Sequence, residues 1–366
     1  MITRFLPMAE WPRLIFGPGK RLICILLALT FLLAGCFSTA PVPPVKIPSV
    51  FWPKPPARPR VALVNIIRRP VDMGIRLGGL QQFWRSLFGG RPRAIQYPHG
   101  LAVDKAGRLY VVDTGLHKLC VFDVKGQSYK VLPQKGKPLL SPIDVAIDNQ
   151  RGRVFVSDAE DGAVRIFTLA GKDAGKIKRG VLGRPTGLAV NAVSDELLVI
   201  DSKNDSLLRF SLADLKLRGV IGHKGVAAGL FNAPTAVTVA PDGSIYVVDT
   251  LNDRVQVFTP AGKFIRMFGA VGDAPGNFSR PKGVAVDNYG NVHVVDALFD
   301  NIQIFNQKGQ VLLSYGGAGQ KPGQLWLPSG ITIGPHGRIY VADTYNHRIQ
   351  VYKIVKPEDR SRNDEK

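Results

Sequence analysis

The chain has 366 residues, a 45% apolar share, Gly 39, Pro 27 and a formal net charge of +20 at pH 7. Those numbers exclude a small single-core domain and speak against a helical protein; they suit one large all-β domain of many short strands joined by turns. The basic balance points to anionic partners, whether lipid head groups, acidic polysaccharide or acidic proteins.

Residues 1–35 read as a targeting segment rather than as fold. Arg13, Lys20 and Arg21 precede an apolar run from Leu22 to Ala34. The run is shorter than the roughly 20 residues of a membrane span and suits the apolar region of a signal peptide. It ends in Leu33-Ala34-Gly35-Cys36. This resembles the lipobox of bacterial lipoproteins, and the resemblance implies that Cys36 becomes the lipidated N-terminus. Each buried lipid CH₂ contributes about 0.8 kcal/mol, so the chain is expected to be anchored to a membrane without spanning it. Phe37 follows the cysteine where lipoproteins held at the inner membrane carry Asp. The expected place is therefore a bacterial cell envelope, at the outer membrane, where nucleic acid is not an expected partner. With Cys24 in the signal and Cys36 lipidated, Cys120 stands alone in a strand pattern and is expected to be a small buried residue.

Residues 36–59 follow as lipidated cysteine and tether. Prolines 41, 43, 44, 48, 53, 55, 56 and 59 predict an extended polyproline-II segment. At about 3.1 Å per residue it would reach roughly 60 Å. Residues 60–97 come next. Positions 60–67 are rich in β-branched residues and predict a strand. Leu80, Phe83, Trp84, Leu87 and Phe88 fall on a helical stripe over 80–88, stopped by Gly89-Gly90. That helix is expected to pack on the body, the alternative being an interfacial membrane helix.

From residue 98 to about 355 one unit recurs. It reads Pro-x-Gly, an apolar strand, a glycine turn, a second strand ending in Asp, a polar turn and a third strand. The leading prolines are Pro98, Pro142, Pro185, Pro234, Pro281 and Pro328, and the acids are Asp113, Asp158, Asp201, Asp249, Asp296 and Asp343. A period of roughly 45 residues with about four strands per unit predicts a propeller whose units bury their faces only on one another. Copies four to six share a long approach to the next proline, as in Gly269-x-x-Gly272-x-x-x-Gly276-Asn277-Phe278-x-x-Pro281. With Asp343-Thr344 and Asn346-His347-Arg348, these residues resemble NHL repeats over about 98–352, strongly in copies four to six and weakly in two and three. Copy three lacks the glycine turn, between Asn191 and Glu196. Copy six lacks a fourth strand before the charged tail at 356–366, and residues 60–67 lack a blade. The fold is therefore read as an all-β, six-bladed β-propeller with four-stranded blades, its ring closed by 60–67 completing the last blade.

In a propeller, the loops entering the inner strands and those joining second to third strands share one face. The residues between each Pro and Gly are thus expected around the mouth of the central channel: His99, Ile143, Thr186, Thr235, Lys282 and Ser329. Copy two carries Asp144, and copy four Ala236, where the glycine falls. An acid repeated in every blade does not make a catalytic centre, which needs unlike groups converging on one point. The six acids are expected to close turns on backbone N–H groups. His117 and His347 share one repeat position, His223 and His336 lie in turns, and His293 replaces a strand tyrosine. His99 is left as the one histidine at the mouth, one blade from Asp144.

The NHL resemblance implies an alternative, because peptidyl-amidating lyases and related lyases or lactonases hold a divalent metal in the channel with several His or carboxylates. A catalytic Zn²⁺ takes three protein ligands, and only His99 and Asp144 stand at suitable positions here. No Gly-x-Ser-x-Gly elbow, zincin motif or phosphate loop is present. The second turns carry Leu116, Leu251, Phe299 and Tyr345, which fit a protein-binding surface. Lys172, Lys176, Lys178 and Arg179 form a basic loop. The expected protein is a monomeric, lipid-anchored, non-catalytic binding scaffold for an envelope protein or anionic polysaccharide, without a cofactor. The alternative is a metal-dependent lyase or hydrolase with Zn or Ca at His99 and Asp144.

Overall fold

A computed structural model describes residues 49–355 apart from Pro55, residues 76–94, Lys135 and Arg179. The signal segment, Cys36, the start of the tether, the stripe at 80–88 and the tail at 356–366 lie outside the described residues. Blade one is a four-stranded antiparallel meander of Pro98–Val103, Leu109–Asp113, Lys118–Asp123 and Ser128–Leu132. The same meander recurs with inner strands Pro142–Asp148, Pro185–Asn191, Ala236–Val239, Pro281–Val286 and Ile331–Ile333. Together these make the six blades of a ring.

Burial explains the sequence pattern of each strand. Second strands such as Leu109–Asp113 and Ile245–Asp249 are buried at every position, because a neighbouring blade covers each face. Fourth strands on the rim alternate, as Phe264–Phe268 does, with one face wet. The apolar core is divided in the same way, into clusters that each occupy a seam between neighbouring blades. Tyr110, Leu119, Val154 and Phe167 fill the seam of blades one and two. Ile67, Leu109, Phe122 and Ile349 fill that of blades six and one. Cys120 lies in that last seam, 0% exposed. Burial pushes its thiol up to about 12, so it is a packed residue as expected.

Ring closure follows the sequence expectation. Val61–Ile67 pairs antiparallel with Arg348–Ile354, Val61 opposite Ile354 and Ile67 opposite Ile349, with an irregularity between Leu63 and Asn65. Chain start and chain end thus share blade six, and no blade edge is left for want of its fourth strand.

The described end of the proline-rich segment is not extended chain throughout. Phe51–Trp52 forms a fifth strand on blade six, with Phe51 opposite Ala62 and Trp52 opposite Val61. Trp52 is only 9% exposed and packs on Tyr315 and Tyr352, ring centroids 5.9 and 5.8 Å away. An edge strand tolerates flanking prolines because its outer N–H groups are not needed for pairing. Burial of an indole outweighs the extended preference of the segment.

At the mouth, the inner strands crowd one another, which is why the third motif position is glycine. A Cβ on Gly187 would sit 2.7 Å from Ala236 Cα on the next blade. Copy three, without its glycine turn, places Asp195 at φ 54 instead. Asp tolerates that left-handed conformation better than most side chains.

Candidate functional site

The inner strands enclose a channel of about 610 Å³ whose lining includes residues of all six blades. The six residues between Pro and Gly all line it: His99, Ile143, Thr186, Thr235, Lys282 and Ser329. Several have structural work. Ser329 Oγ shares a hydrogen bond of 2.8 Å with Thr344 Oγ1, which donates to the Pro98 carbonyl at 2.9 Å. Thr235 Oγ1 and Thr250 Oγ1 are 2.7 Å apart, and Thr250 donates to the Pro281 carbonyl at 3.0 Å. These hydroxyl pairs staple each blade to the next. Thr186 Oγ1, by contrast, is buried without a hydrogen-bond partner.

His99 Nδ1 is 3.0 Å from the Ile143 carbonyl. A carbonyl only accepts, so Nδ1 carries the proton and Nε2 holds the lone pair of a neutral ring. Burial, helped by the Lys282 charge, pushes the ring down to about 4 and keeps it neutral. Asp144 is committed to backbone on both oxygens. Oδ2 accepts from Leu188 N–H on blade three and Oδ1 from Val145 N–H, each at 2.9 Å. Burial nonetheless pushes its carboxyl up to about 7.

This donor set does not fit a divalent cation. Among the described residues, no three His, Cys, Asp or Glu side chains come together. The oxygens of Asp144 are already hydrogen-bonded, and Lys282 brings a like charge to the same channel. A Zn²⁺ or Ca²⁺ ion would find His99 Nε2 and little else.

The six repeated acids close turns, as expected. Each is 0% exposed. Each accepts N–H groups from the segment before its own inner strand, Gln96 and Tyr97 on Asp113 and Ser279 and Arg280 on Asp296 being examples. His117 and His347 direct Nδ1 at the carbonyls of Leu140 and Gln96, tying their turns to the next blade. His293 is 0% exposed and faces Asp287 at 3.3 Å. His223 and His336 are exposed.

The second turns divide. Leu251 and Tyr345 are 47% and 45% exposed. Leu116 and Phe299 are half-buried, and Leu116 packs against the core of the six–one seam. Those two are not exposed tips. The basic stretch is not all loop: Lys176 lies in the fourth strand of blade two, Asp173–Ile177, and pairs with Asp161 at 2.7 Å, while Arg179 lies outside the described residues.

Two sets of residues at this face escape a reading of the Pro-x-Gly and turn positions. The first is aromatic. Tyr345 stacks edge-on against Tyr97 at 5.8 Å and tilts against Trp326 at 5.7 Å, while Tyr97 meets His347 at 4.8 Å. Tyr97 and Trp326 remain 39% and 43% exposed. The second is basic: Arg184 and Arg280 line the channel beside Lys282. Comparing the residue before each leading proline would have found Tyr97, Arg184 and Arg280; Trp326 stands two before Pro328.

An NHL repeat model matches residues 96–122 and 325–352, and a model described as 6-bladed beta-propeller matches residues 228–302. The chain is an NHL-repeat propeller. The NHL propeller is similar to Protein SUPPRESSOR OF QUENCHING 1, chloroplastic, of Arabidopsis thaliana, 26% identical over 46% of this chain and 20% of that one. It is also similar to Peptidyl-glycine alpha-amidating monooxygenase B of Xenopus laevis, 27% identical over 42% of this chain and 19% of that one. It thus spans about a fifth of the length of these curated relatives. Among solved structures, virginiamycin B lyase from Staphylococcus aureus superposes with TM-score 0.53 at 13% identity, over 71% of this chain and 96% of that one. At that identity the likeness concerns the fold alone.

Proposed function

We propose that this NHL propeller is a non-catalytic binding scaffold, held in a bacterial cell envelope by lipid on Cys36, which carries a protein or polysaccharide partner on its loop face. The observation that carries this reading is the exposed aromatic platform of Tyr97, Trp326 and Tyr345 at the seam where the ring closes. Rigid rings that keep one face open to water supply contact area at low entropic cost, and such residues dominate binding surfaces. The polar groups beneath are satisfied by backbone, so the surface is preorganised.

The lyase reading draws support from the names of the relatives, a monooxygenase and a lyase. Against it stands the donor set at the mouth. His99 and Asp144 fall short of three ligands, and both carboxylate oxygens of Asp144 accept backbone N–H groups. Metal analysis of the purified full chain separates the two. The scaffold reading expects no stoichiometric Zn or Ca; a metal that is present at one per chain and lost in a His99→Ala, Asp144→Ala double variant would overturn it.

A further inference from the structure

The channel mouth gathers positive charge without an answering carboxylate. Arg184, Arg280 and Lys282 all line the channel, Arg184 from blade three and the other two from blade five. They face one another across blade four, whose residue before the leading proline is the small Ala233. Burial, joined by the charges of Arg280 and Arg184, holds the Lys282 ammonium below the usual lysine range. Like charges held this way repel, and an arrangement of this kind is relieved by an anion.

Among the described residues, no side chain supplies that anion. Among the described residues no salt bridge joins any of the three to a carboxylate. The acids nearby are engaged with backbone: Asp144 with Leu188 and Val145, Asp201 with Gly183 and Arg184 N–H, and Asp205 with Ala233 N–H. Asp253 feels the charge of Arg280 without forming an ion pair. A second, independent sign comes from Thr186. It lines the same channel, is 7% exposed, and its Oγ1 has no hydrogen-bond partner. A buried hydroxyl without a partner is destabilising unless something else supplies one.

We propose that this mouth is a binding site for a small organic anion, its acid group, a carboxylate or a phosphate, held by Arg184, Arg280 and Lys282 with Thr186 as a hydroxyl donor. The forked guanidinium suits either group, since both offer two coplanar oxygens. The channel volume of about 610 Å³ lies in the range of small-molecule sites. Neutral His99 and backbone-bound Asp144 shape the opposite wall. The site is separate from the aromatic platform, so it stands or falls independently of the scaffold reading.

The test is calorimetric titration of the full-length chain in a non-ionic detergent with citrate, with inorganic phosphate, and with glucose as the neutral control. Saturable binding of citrate or phosphate near one per chain, and none of glucose, is expected; which anion binds tells carboxylate from phosphate. Arg184→Gln with Arg280→Gln should weaken it by about tenfold or more, loss of one charge-assisted pair alone being worth roughly that factor. Both arginines are exposed, so the fold should survive their loss. Thr186→Val should weaken binding by several-fold. Lys172→Gln with Lys176→Gln, in the outer strand of blade two and the turn before it, should leave it unchanged. Absence of binding by both anions, or binding equal in the double arginine variant, would overturn the site.

Discussion

Blades six and two have the same four-strand plan but are held in different ways. In blade six, Asp343 accepts from Arg348 Nε at 2.6 Å, from Asn346 Nδ2 at 2.9 Å and from Gln350 Nε2 at 2.9 Å. Arg348 then reaches the carbonyls of Gln320, Lys321 and Gln324, and Gln350 accepts Gly323 N–H. In blade two the corresponding acid, Asp158, accepts N–H groups of Leu140, Ser141 and Asp161, and Ala163 stands where Arg348 does. Blade four repeats the arginine clamp with Asp249, Arg254 and Gln256. The difference teaches what the NHL signature is for. Its Asn, Arg and Gln hold a long approach loop by carbonyls that would otherwise lack donors. Blades two and three, with a short approach, carry neither the arginine nor the glutamine, whereas blade five, with a long one, keeps Gln303 and has Asn301 in the arginine's place.

The comparison can be broken most severely at the joint of the ring. Removing residues 49–67 takes away the outer strands of blade six and the Trp52 contacts with Tyr315 and Tyr352. We expect loss of the single cooperative thermal transition, or a fall of more than about 10 °C in Tm, because the ring then has an open edge. An unchanged melting curve by circular dichroism would mean that the closing strand is dispensable.

The next largest effect separates the two clamps. Arg348→Met leaves Asp343 buried and unpaired, the pair being 1% and 0% exposed, and should cost about 3–5 kcal/mol in urea unfolding. Arg165→Met on blade two removes a pair whose Asp173 is 51% exposed, and should cost less than about 1 kcal/mol. Equal costs would show that the arginine clamp is not what distinguishes the blades.

The last effect is one of pH and concerns Asp144 on blade two. Its folded carboxyl lies at about 7, above the usual 3.8, so the folded state binds the proton more tightly. Stability contributed by the protonated form is present at low pH and is lost as pH rises between those two values. Asp144→Asn should flatten that slope, by up to about 4 kcal/mol across the window. A slope identical to wild type would place the carboxylate in water.

Much of the fold is legible in the sequence because each repeat reports it anew. Six prolines and six acids in register leave little choice of topology, and a strand at 60–67 without a blade finds the one blade without a strand. Phe51–Trp52 was hidden because the prolines around it outweigh a two-residue strand in any local reading. The mouth is legible residue by residue, but its chemistry is not. Asp144 is paired with Leu188 and His99 with Ile143, partners 44 residues away in each case, so sequence adjacency carries no trace of them. The exposed aromatic trio likewise draws Tyr97 from the first blade and Trp326 and Tyr345 from the last.

The central claim is that partners are bound on the face bearing that trio. A photocrosslinking residue placed at Tyr345, and in a second protein at Tyr289, tests it in intact envelopes. Tyr289 is 59% exposed in the turn between first and second strands, at the opposite end of the blade. The account predicts one discrete adduct from position 345 and none from 289. Adducts from 289 alone, or the same adducts from both positions, would contradict it.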